Sequence, residues 1–171
     1  MESGPSIRFA CDAMLGSLAR WLRAAGYDAF WQEGIDDWDL VRLALREGWT
    51  LLTSDTGIFR IGCVRDGELP SLFIPPGMDR EGQLAFVLRE LNLSVREPRC
   101  MACGGELAEV PRAEVRDRVP PASFARQEHF YQCERCGRVL WQGTHWQRIA
   151  GVLERVRGPG TRQPGLRTEL L

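Results

Sequence analysis

Apolar residues in the first hundred positions alternate between short continuous runs and helical spacing. Short runs predict strands at residues 7–11, 28–31, 50–53 and 72–74. Apolar residues at intervals of three and four predict helices at residues 13–25, 37–47 and 79–91. Glycine follows the first two helices, at Gly26 and Gly48, where helix ends favour it. Because strands that alternate with helices form right-handed βαβ units, the pattern predicts an α/β fold with a parallel sheet flanked by helices.

The pattern changes after residue 94, where a short segment carrying Pro98 leads into a turn-rich region with two pairs of cysteines. The chain has 171 residues, which suffices for one core and a small appended module. We therefore expect an α/β domain at residues 1–97 and a small module at residues 98–157. Residues 158–171 are rich in glycine and proline, so we expect a disordered tail.

The cysteine pairs have the spacing of a structural zinc site. Each pair is a Cys-x-x-Cys followed by glycine, and 29 residues separate the two pairs. Four thiolates satisfy tetrahedral Zn²⁺ and leave no open coordination position, so such a site stabilises the fold. Disulfides or a redox pair are the alternatives, although two matched pairs are more than a redox motif needs. The predicted ligands are Cys100, Cys103, Cys133 and Cys136, whereas Cys11 and Cys63 are expected to be small buried apolar residues.

Charge is distributed unevenly along the chain. All 22 basic residues are arginine, which excludes sites that need lysine, such as the P-loop or a Schiff base. Residues 1–98 hold 10 arginines against 15 acids (net −5), and residues 99–171 hold 12 arginines against 8 acids (net +4). This asymmetry favours binding of a polyanion by the basic residues 99–171. No apolar run approaches the roughly 18 residues of a membrane span, and Arg8 and Asp12 stand where a signal peptide is apolar, so we expect a cytoplasmic protein with no membrane partner.

Three aspartates fall where a parallel sheet places its active site. Asp12 ends the first predicted strand, Asp55 follows the strand at 50–53, and Asp37 is the predicted N-cap of a helix. Open α/β sheets bind ligands at the carboxyl ends of their strands. Carboxylates that meet there repel one another unless they hold a divalent cation, and oxygen ligands favour Mg²⁺ or Mn²⁺. The ordinary alternative is a helix cap at Asp37 and a turn-forming role for Asp55.

Arginines on the first predicted helix offer candidate phosphate contacts. Arg20 and Arg23 share one stripe with Asp12 and Gly16, away from the leucine face of the helix. Guanidinium groups in this position could hold phosphates, and Gly16 would allow a backbone to approach closely. A solvated arginine face is the alternative.

Aromatic residues near the C-terminal end offer candidate base contacts. His145 and Trp146 lie close to Trp141 and to several arginines. Aromatic rings among arginines can stack on bases while the arginines neutralise phosphates, which predicts an RNA-binding surface at His145 and Trp146. The alternative is that the tryptophans pack the small core of the module.

Several segments together resemble one known family. They are residues 9–23 (FACDAMLGSLARWLR), 26–28 (GYD), 51–55 (LLTSD), 99–103 (RCMAC), 117–121 (DRVPP), 130–133 (FYQC) and 141–146 (WQGTHW). Over residues 7–150 the chain resembles the Mut-seven C-terminal family of PIN-like ribonucleases. The resemblance implies a PIN-like nuclease domain fused to a zinc ribbon. It also implies Mg²⁺- or Mn²⁺-dependent cleavage of RNA at Asp12, Asp37 and Asp55, with the ribbon assisting RNA binding.

One position departs from the PIN pattern. Thr56 and Gly57 follow Asp55 where such sites often carry a further acid, which bears on whether a second metal ion binds. The alternative hypothesis for the whole chain is a module without turnover. In that case the zinc ribbon would bind RNA or a ribonucleoprotein, and the α/β domain would serve as its scaffold.

Overall fold

Four parallel strands form the first sheet of the computed structural model, which describes residues 7–157. They are β1 (Arg8–Cys11), β2 (Asp28–Phe30), β3 (Thr50–Thr53) and β4 (Ser71–Phe73), in the order β2-β1-β3-β4. Every neighbouring pair is parallel. The predicted α/β class with a parallel sheet is confirmed.

Helices cover both faces of this sheet. They are α1 (Gly16–Ala24), α2 (Asp37–Glu47), the one-turn α3 (Gly62–Arg65) and α4 (Arg80–Glu90). Side chains of α1 and α4 fill the core on one face, and those of α2 and α3 fill the core on the other. Phe9 and Cys11 point to the first core and Ala10 to the second, because side chains alternate along a strand. A strand buried on both faces therefore has the continuous apolar sequence seen at residues 9–11.

The order of the strands reverses between β1 and β3. The chain passes from β1 to β2 through α1 on one face, and then returns past β1 to β3 through α2 on the other face. In open α/β sheets, a crevice opens beside the carboxyl ends of the strands where the order reverses. The carboxyl ends of β1 and β3 therefore border the expected binding crevice.

Three antiparallel strands form a second, smaller sheet. They are β5 (Leu107–Val110), β6 (Phe130–Cys133) and β7 (Val139–Trp141), in the order β5-β6-β7. The spacer between the cysteine pairs holds β5 and the short helix α5 (Pro121–Arg126). Val115, Val119 and Phe130 are the buried members of its core cluster. Residues 100–141 are called the ribbon below.

The last described helix, α6 (Thr144–Arg157), packs against the first sheet's helices and not against the ribbon core. Ile149 and Leu153 are buried in the core shared with α1 and α4. Nε of Arg155 lies 2.7 Å from Oε1 of Glu81 at the start of α4. The expected module at residues 98–157 thus contains a helix that completes the other core, because apolar residues repeat along one face of α6. We call β1–β4 with α1–α4 and α6 the α/β unit; the predicted tail at 158–171 lies outside the described residues.

An ion pair joins the ribbon to the α/β unit. Asp28 on β2 is buried, and its Oδ2 accepts a hydrogen bond from Nη2 of Arg135 at 2.9 Å. Arg135 Nη1 also donates to the carbonyl of Cys103 at 2.6 Å. One arginine of the ribbon therefore contacts both the first cysteine loop and the sheet, which orients the ribbon on the α/β unit.

Candidate active site and metal centre

The four cysteines predicted as zinc ligands meet in one place. Their sulfur atoms all lie within 4.8 Å of one another. Sγ of Cys100 lies 3.8 Å from Sγ of Cys136, and Sγ of Cys103 lies 3.4 Å from Sγ of Cys133. Sulfurs bound at about 2.3 Å to one tetrahedral Zn²⁺ lie about 3.8 Å apart. The cluster therefore suggests a structural zinc site with four protein ligands.

Backbone amides support the two cysteine loops. The N–H of Gly105 donates to Sγ of Cys103 at 3.4 Å, and the N–H of Cys136 donates to Sγ of Cys133 at 3.5 Å. Gly104 and Gly137, which follow the second cysteine of each pair, have φ values of +81° and +70°. Glycine adopts this left-handed conformation at little cost, so each loop can fold back beneath its sulfurs.

The remaining two cysteines lie away from this cluster. Cys11 is fully buried, and desolvation raises the pKa of its thiol to about 12, so it stays neutral. Cys63 is half-buried against the core formed by α2 and α3. Cys11 is thus buried as predicted, whereas Cys63 is only partly buried, at the edge of its core.

Asp12 follows β1 directly and is only 3% exposed. Its Oδ1 accepts from the backbone N–H of Met14 at 2.9 Å. Its Oδ2 accepts from the hydroxyl of Thr53 at 2.5 Å and from the backbone N–H of Ser54 at 2.9 Å. Three donors therefore hold the carboxylate in one orientation and compensate for the burial of its charge.

Thr53 connects two of the predicted aspartates. Its hydroxyl donates to Asp12 and accepts from the backbone N–H of Asp55 at 2.9 Å. The side chain of Asp55 is exposed, and its Oδ1 accepts from the N–H of Gly57 at 2.6 Å in a turn typical of aspartate. The structure thus brings Asp12 and Asp55 to the same edge of the sheet, at the carboxyl ends of neighbouring strands.

Asp37 is the first residue of α2 and not its cap. Asp36 has the extended backbone of an N-cap and accepts from the N–H of Trp38 at 2.9 Å, so the predicted cap at Asp37 is wrong by one residue. Partial desolvation raises the pKa of Asp37, and repulsion from Asp55 adds to it. Weaker repulsion comes from Asp36 and Asp12. The carboxylate of Asp37 therefore does not cap the helix. It lies close enough to the other two aspartates to be repelled by their charges.

The three aspartates form an open arrangement. Among residues 7–157, the group of three or more potential ligands whose atoms all lie within 4.8 Å is the cysteine cluster. Asp37 and Asp55 are exposed, whereas Asp12 is buried. The three carboxylates therefore do not meet at the spacing of ligands on one ion, although Mg²⁺ is commonly bound by only one or two carboxylates together with water and substrate phosphates. The assignment of Asp12, Asp37 and Asp55 to Mg²⁺ or Mn²⁺ stays a prediction.

The two arginines predicted to hold phosphates have different surroundings. Arg20 is exposed on α1. Arg23 is 5% exposed, and its guanidinium donates to the carbonyls of Ala29 at 2.8 Å, Met101 at 3.0 Å and Ala102 at 2.9 Å. Because Met101 and Ala102 lie between the first two cysteines, Arg23 joins α1 to the zinc loop. Nε and Nη1 of Arg23 thus donate within the protein, and its role as a phosphate contact stays a prediction.

Gly16 makes room for an aromatic ring of the protein itself. A Cβ at this position would lie 2.6 Å from Cε2 of Trp31. The indole N–H of Trp31 donates to the carbonyl of Ala13 at 3.0 Å, which fixes the ring against the start of α1. The close approach predicted at Gly16 therefore occurs, but the approaching group is Trp31.

The two tryptophans near the C-terminal end of the ribbon are half-buried. Trp141 packs beside Phe130, with ring centroids 6.4 Å apart. Trp146 packs at the edge of the core formed by α1 and α4. Both tryptophans therefore pack against core residues, as the alternative interpretation expects, although each stays partly exposed. The side chain of His145 lies outside the described residues.

Thr53 and Ser54 are site residues that the sequence pattern did not reveal. Each donates to Asp12 across more than forty positions of sequence. Thr53 ends a buried strand directly before the turn that carries Asp55, and that position offered a signal. A buried polar side chain needs a hydrogen-bond partner, and at the carboxyl end of β3 a neighbouring strand end can supply one.

Comparisons with known proteins agree with this architecture. The family model described as Mut7-C RNAse domain matches residues 7–153, which span both the α/β unit and the ribbon. Neither the curated proteins nor the solved structures give a significant match. No helix within residues 7–157 is long and apolar enough to cross a membrane.

Proposed function

The chain belongs to the Mut7-C RNAse domain family, and from this premise we propose that it cleaves RNA phosphodiester bonds with the help of Mg²⁺ or Mn²⁺. The family suggests a ribonuclease-like function, and the cysteine cluster suggests structural zinc. Cleavage would take place in a PIN-like domain at Asp12, Asp37 and Asp55. The observation that carries the proposal is the placement of Asp12 and Asp55 at the carboxyl ends of β1 and β3, where the strand order reverses.

Each aspartate has a distinct part in the proposed reaction. Asp12 is held by three hydrogen bonds and offers a fixed carboxylate at the base of the crevice. Asp55 and Asp37 are exposed and offer carboxylates at its rim. A hard divalent cation supplies Lewis-acid activation of the phosphodiester and of water when it is bound by such oxygens. Thr53 acts as a positioning residue, because its hydroxyl fixes Asp12 relative to the backbone of Asp55.

RNA contacts would come from both parts of the chain. Arg20 is exposed on α1 and can meet a phosphate near the crevice. Trp146 and the predicted partner His145 lie at the start of α6, next to the ribbon. The ribbon would then assist binding, while its four cysteines hold zinc for stability.

The test is cleavage of single-stranded and structured RNA by the zinc-loaded chain in the presence of Mg²⁺ or Mn²⁺. Asp12→Asn is expected to lower kcat/KM by about 100-fold or more, because it removes one charge from the proposed cation site. Asp39→Asn is the matched control, since Asp39 is an exposed acid of α2 paired with Arg42. Its rate should equal that of the unchanged chain.

Two results would decide against catalysis. Equal cleavage by Asp12→Asn and the unchanged chain would assign the activity to a contaminant or to another site. RNA binding that needs zinc, without cleavage under any cation condition, would support the alternative of a module that binds RNA or a ribonucleoprotein. The wide spacing of the three carboxylates is the observation that favours this alternative.

A further inference from the structure

A cavity of about 350 Å³ lies at the junction of the ribbon and the α/β unit. Its walls come from β6 and β7 of the ribbon, from residues 95–99 and from α6. None of the three predicted catalytic aspartates lines it. A volume of this size is within the range of sites that take small organic groups.

Three aromatic side chains from three different elements line this cavity. They are Tyr131 of β6, Trp141 of β7 and Trp146 of α6, and each is half-buried. Packing fixes the tryptophans from behind, since Trp141 contacts Phe130 and Trp146 contacts the α1–α4 core. Fixed rings with one accessible side suit the stacking of a flat group, and every nucleobase has such a face.

Charged side chains also line the cavity. Glu97 and Glu154 contribute carboxylates to the wall. Arg157 donates to Oε1 of Glu154 at 3.1 Å, and Nε of Arg99 donates to the carbonyl of Gly104 at 2.6 Å. Three arginines and two glutamates line the cavity, a net charge of +1, and Arg157 and Glu154 neutralise each other. The charges therefore do not decide what the cavity takes, and the aromatic walls are what favour a flat group.

The cavity and Asp12 lie at opposite ends of the segment that runs from Asp12 to Ala24. Ala24, the last residue of α1, lines the cavity, and Asp12 caps the 3-10 turn at Ala13–Leu15 that precedes α1. The turn at about 2.0 Å per residue and the helix at about 1.5 Å per residue together span roughly 20 Å. A strand of a few nucleotides can span this distance, so one RNA segment can reach both places.

We propose that the junction cavity binds one unstacked base of a single-stranded RNA segment whose backbone continues to the carboxylates, an inference that rests on the proposed nuclease function. The cavity would then fix how far from the bound base the backbone is cut. RNA is recognised mainly through bases exposed in single strands, which agrees with a site for one base.

The test uses the zinc-loaded Asp12→Asn chain, which cannot cleave under the proposed function, and single-stranded RNA carrying 2-aminopurine. Binding should quench the fluorescence of this base, because it stacks on the aromatic walls. Adding Ala150→Leu fills the cavity from α6 without removing a wall and should abolish the quench and weaken binding by about 10-fold. Gln147→Leu, at an exposed position of the same helix outside the cavity, is the matched control.

Tyr131→Leu provides a second variant that keeps apolar bulk but removes one aromatic wall, should Ala150→Leu fail to fold. Unchanged quenching and affinity in both variants would overturn the cavity proposal whether or not the chain cleaves RNA. So would a chain that binds duplex RNA or a protein but no single strand. Quenching that depends on the cavity, combined with no cleavage by the chain that retains Asp12, would keep the base site and remove the nuclease.

In the cleaving chain, substitution of single nucleotides by abasic ones gives an independent readout. An abasic nucleotide should lower kcat/KM by about 10-fold at one position, which lies at a fixed distance from the cut. Ala150→Leu should remove this dependence. Equal losses at every position, or a dependence that survives Ala150→Leu, would overturn the proposal.

Discussion

The α/β unit and the ribbon differ in what holds them together. The α/β unit buries apolar side chains on both faces of its sheet, from α1, α4 and α6 on one side and α2 and α3 on the other. The buried members of the ribbon's core cluster are Val115, Val119 and Phe130. So small a core does not stabilise a fold of this size without a disulfide or a metal. We therefore expect the cysteine cluster to provide the stability that the ribbon core lacks.

The largest expected effect is that of zinc removal. A chelator, or Cys133→Ser, should lower amide hydrogen-exchange protection of β5–β7 on the order of 1,000-fold or more, because structural zinc contributes most of the folding free energy of such modules. The strands β1 and β3 should keep their protection. Cys63→Ser, outside the cluster, is the control and should leave β6 unchanged.

Hydrogen exchange also tests whether the two regions unfold independently. If β1 and β3 lose protection together with β6, the two regions form one cooperative unit and the distinction between their cores does not hold. A loss confined to the ribbon and the adjoining end of α1 would support the distinction, since Arg23 hydrogen-bonds this end of α1 to the first cysteine loop.

The second expected effect concerns Arg23. Arg23→Met should lower the free energy of unfolding by about 3 kcal/mol, because it leaves the buried carbonyl of Ala29 and the partly buried carbonyls of Met101 and Ala102 without their donor. Arg20→Met, one turn earlier on the same helix and exposed, should change it by less than about 0.5 kcal/mol. Urea denaturation of the zinc-loaded chains measures both. Equal effects would contradict a structural role for Arg23.

The smallest expected effect compares two glycines. Gly104→Ala and Gly137→Ala both place a side chain at positive φ, which costs about 1 kcal/mol each. At Gly104 the new Cβ would also collide with Oδ1 of Asp28, whereas at Gly137 the surroundings are open. We therefore expect Gly104→Ala to be more destabilising by about 1–2 kcal/mol in thermal unfolding.

A double-mutant cycle identifies the cause of that difference. In an Asp28→Ala background the excess cost of Gly104→Ala over Gly137→Ala should shrink, because the atom that it collides with is gone. An excess that stays the same would mean that Gly104 is strained within the zinc loop and does not report on contact between the two regions.

The four strands and the helices α1, α2 and α4 of the α/β unit could be predicted because each carries its own local signal, whereas the helices α3 and α6 were not predicted. The predicted end of α2 at Glu47 is the observed one, its predicted start differs by one residue because Asp36 is the cap, and Gly48 ends it with φ +67° as a C-terminal glycine should. The cysteine cluster could be predicted from spacing alone, since tetrahedral zinc restricts how its ligands are arranged.

Tertiary contacts could not be predicted in the same way. Helical periodicity puts Arg23 on a polar stripe, and nothing in that pattern says that the ribbon packs on this stripe. Asp12 could be named as a candidate, but its partners Thr53 and Ser54 follow from the pairing of β1 with β3. Hydrogen bonds between residues far apart in sequence depend on register and packing, which local patterns do not determine.

The position of α6 has a consequence for synthesis on the ribosome. The surfaces of α1 and α4 that Ile149 and Leu153 cover are made early, and these two residues are made only after the whole ribbon. While its metal-binding segment is being translated, the nascent chain therefore exposes the apolar surface of α1 and α4 that α6 covers later. Closure of the first core is consequently a late event in the life of the chain, even though most of that core is encoded first.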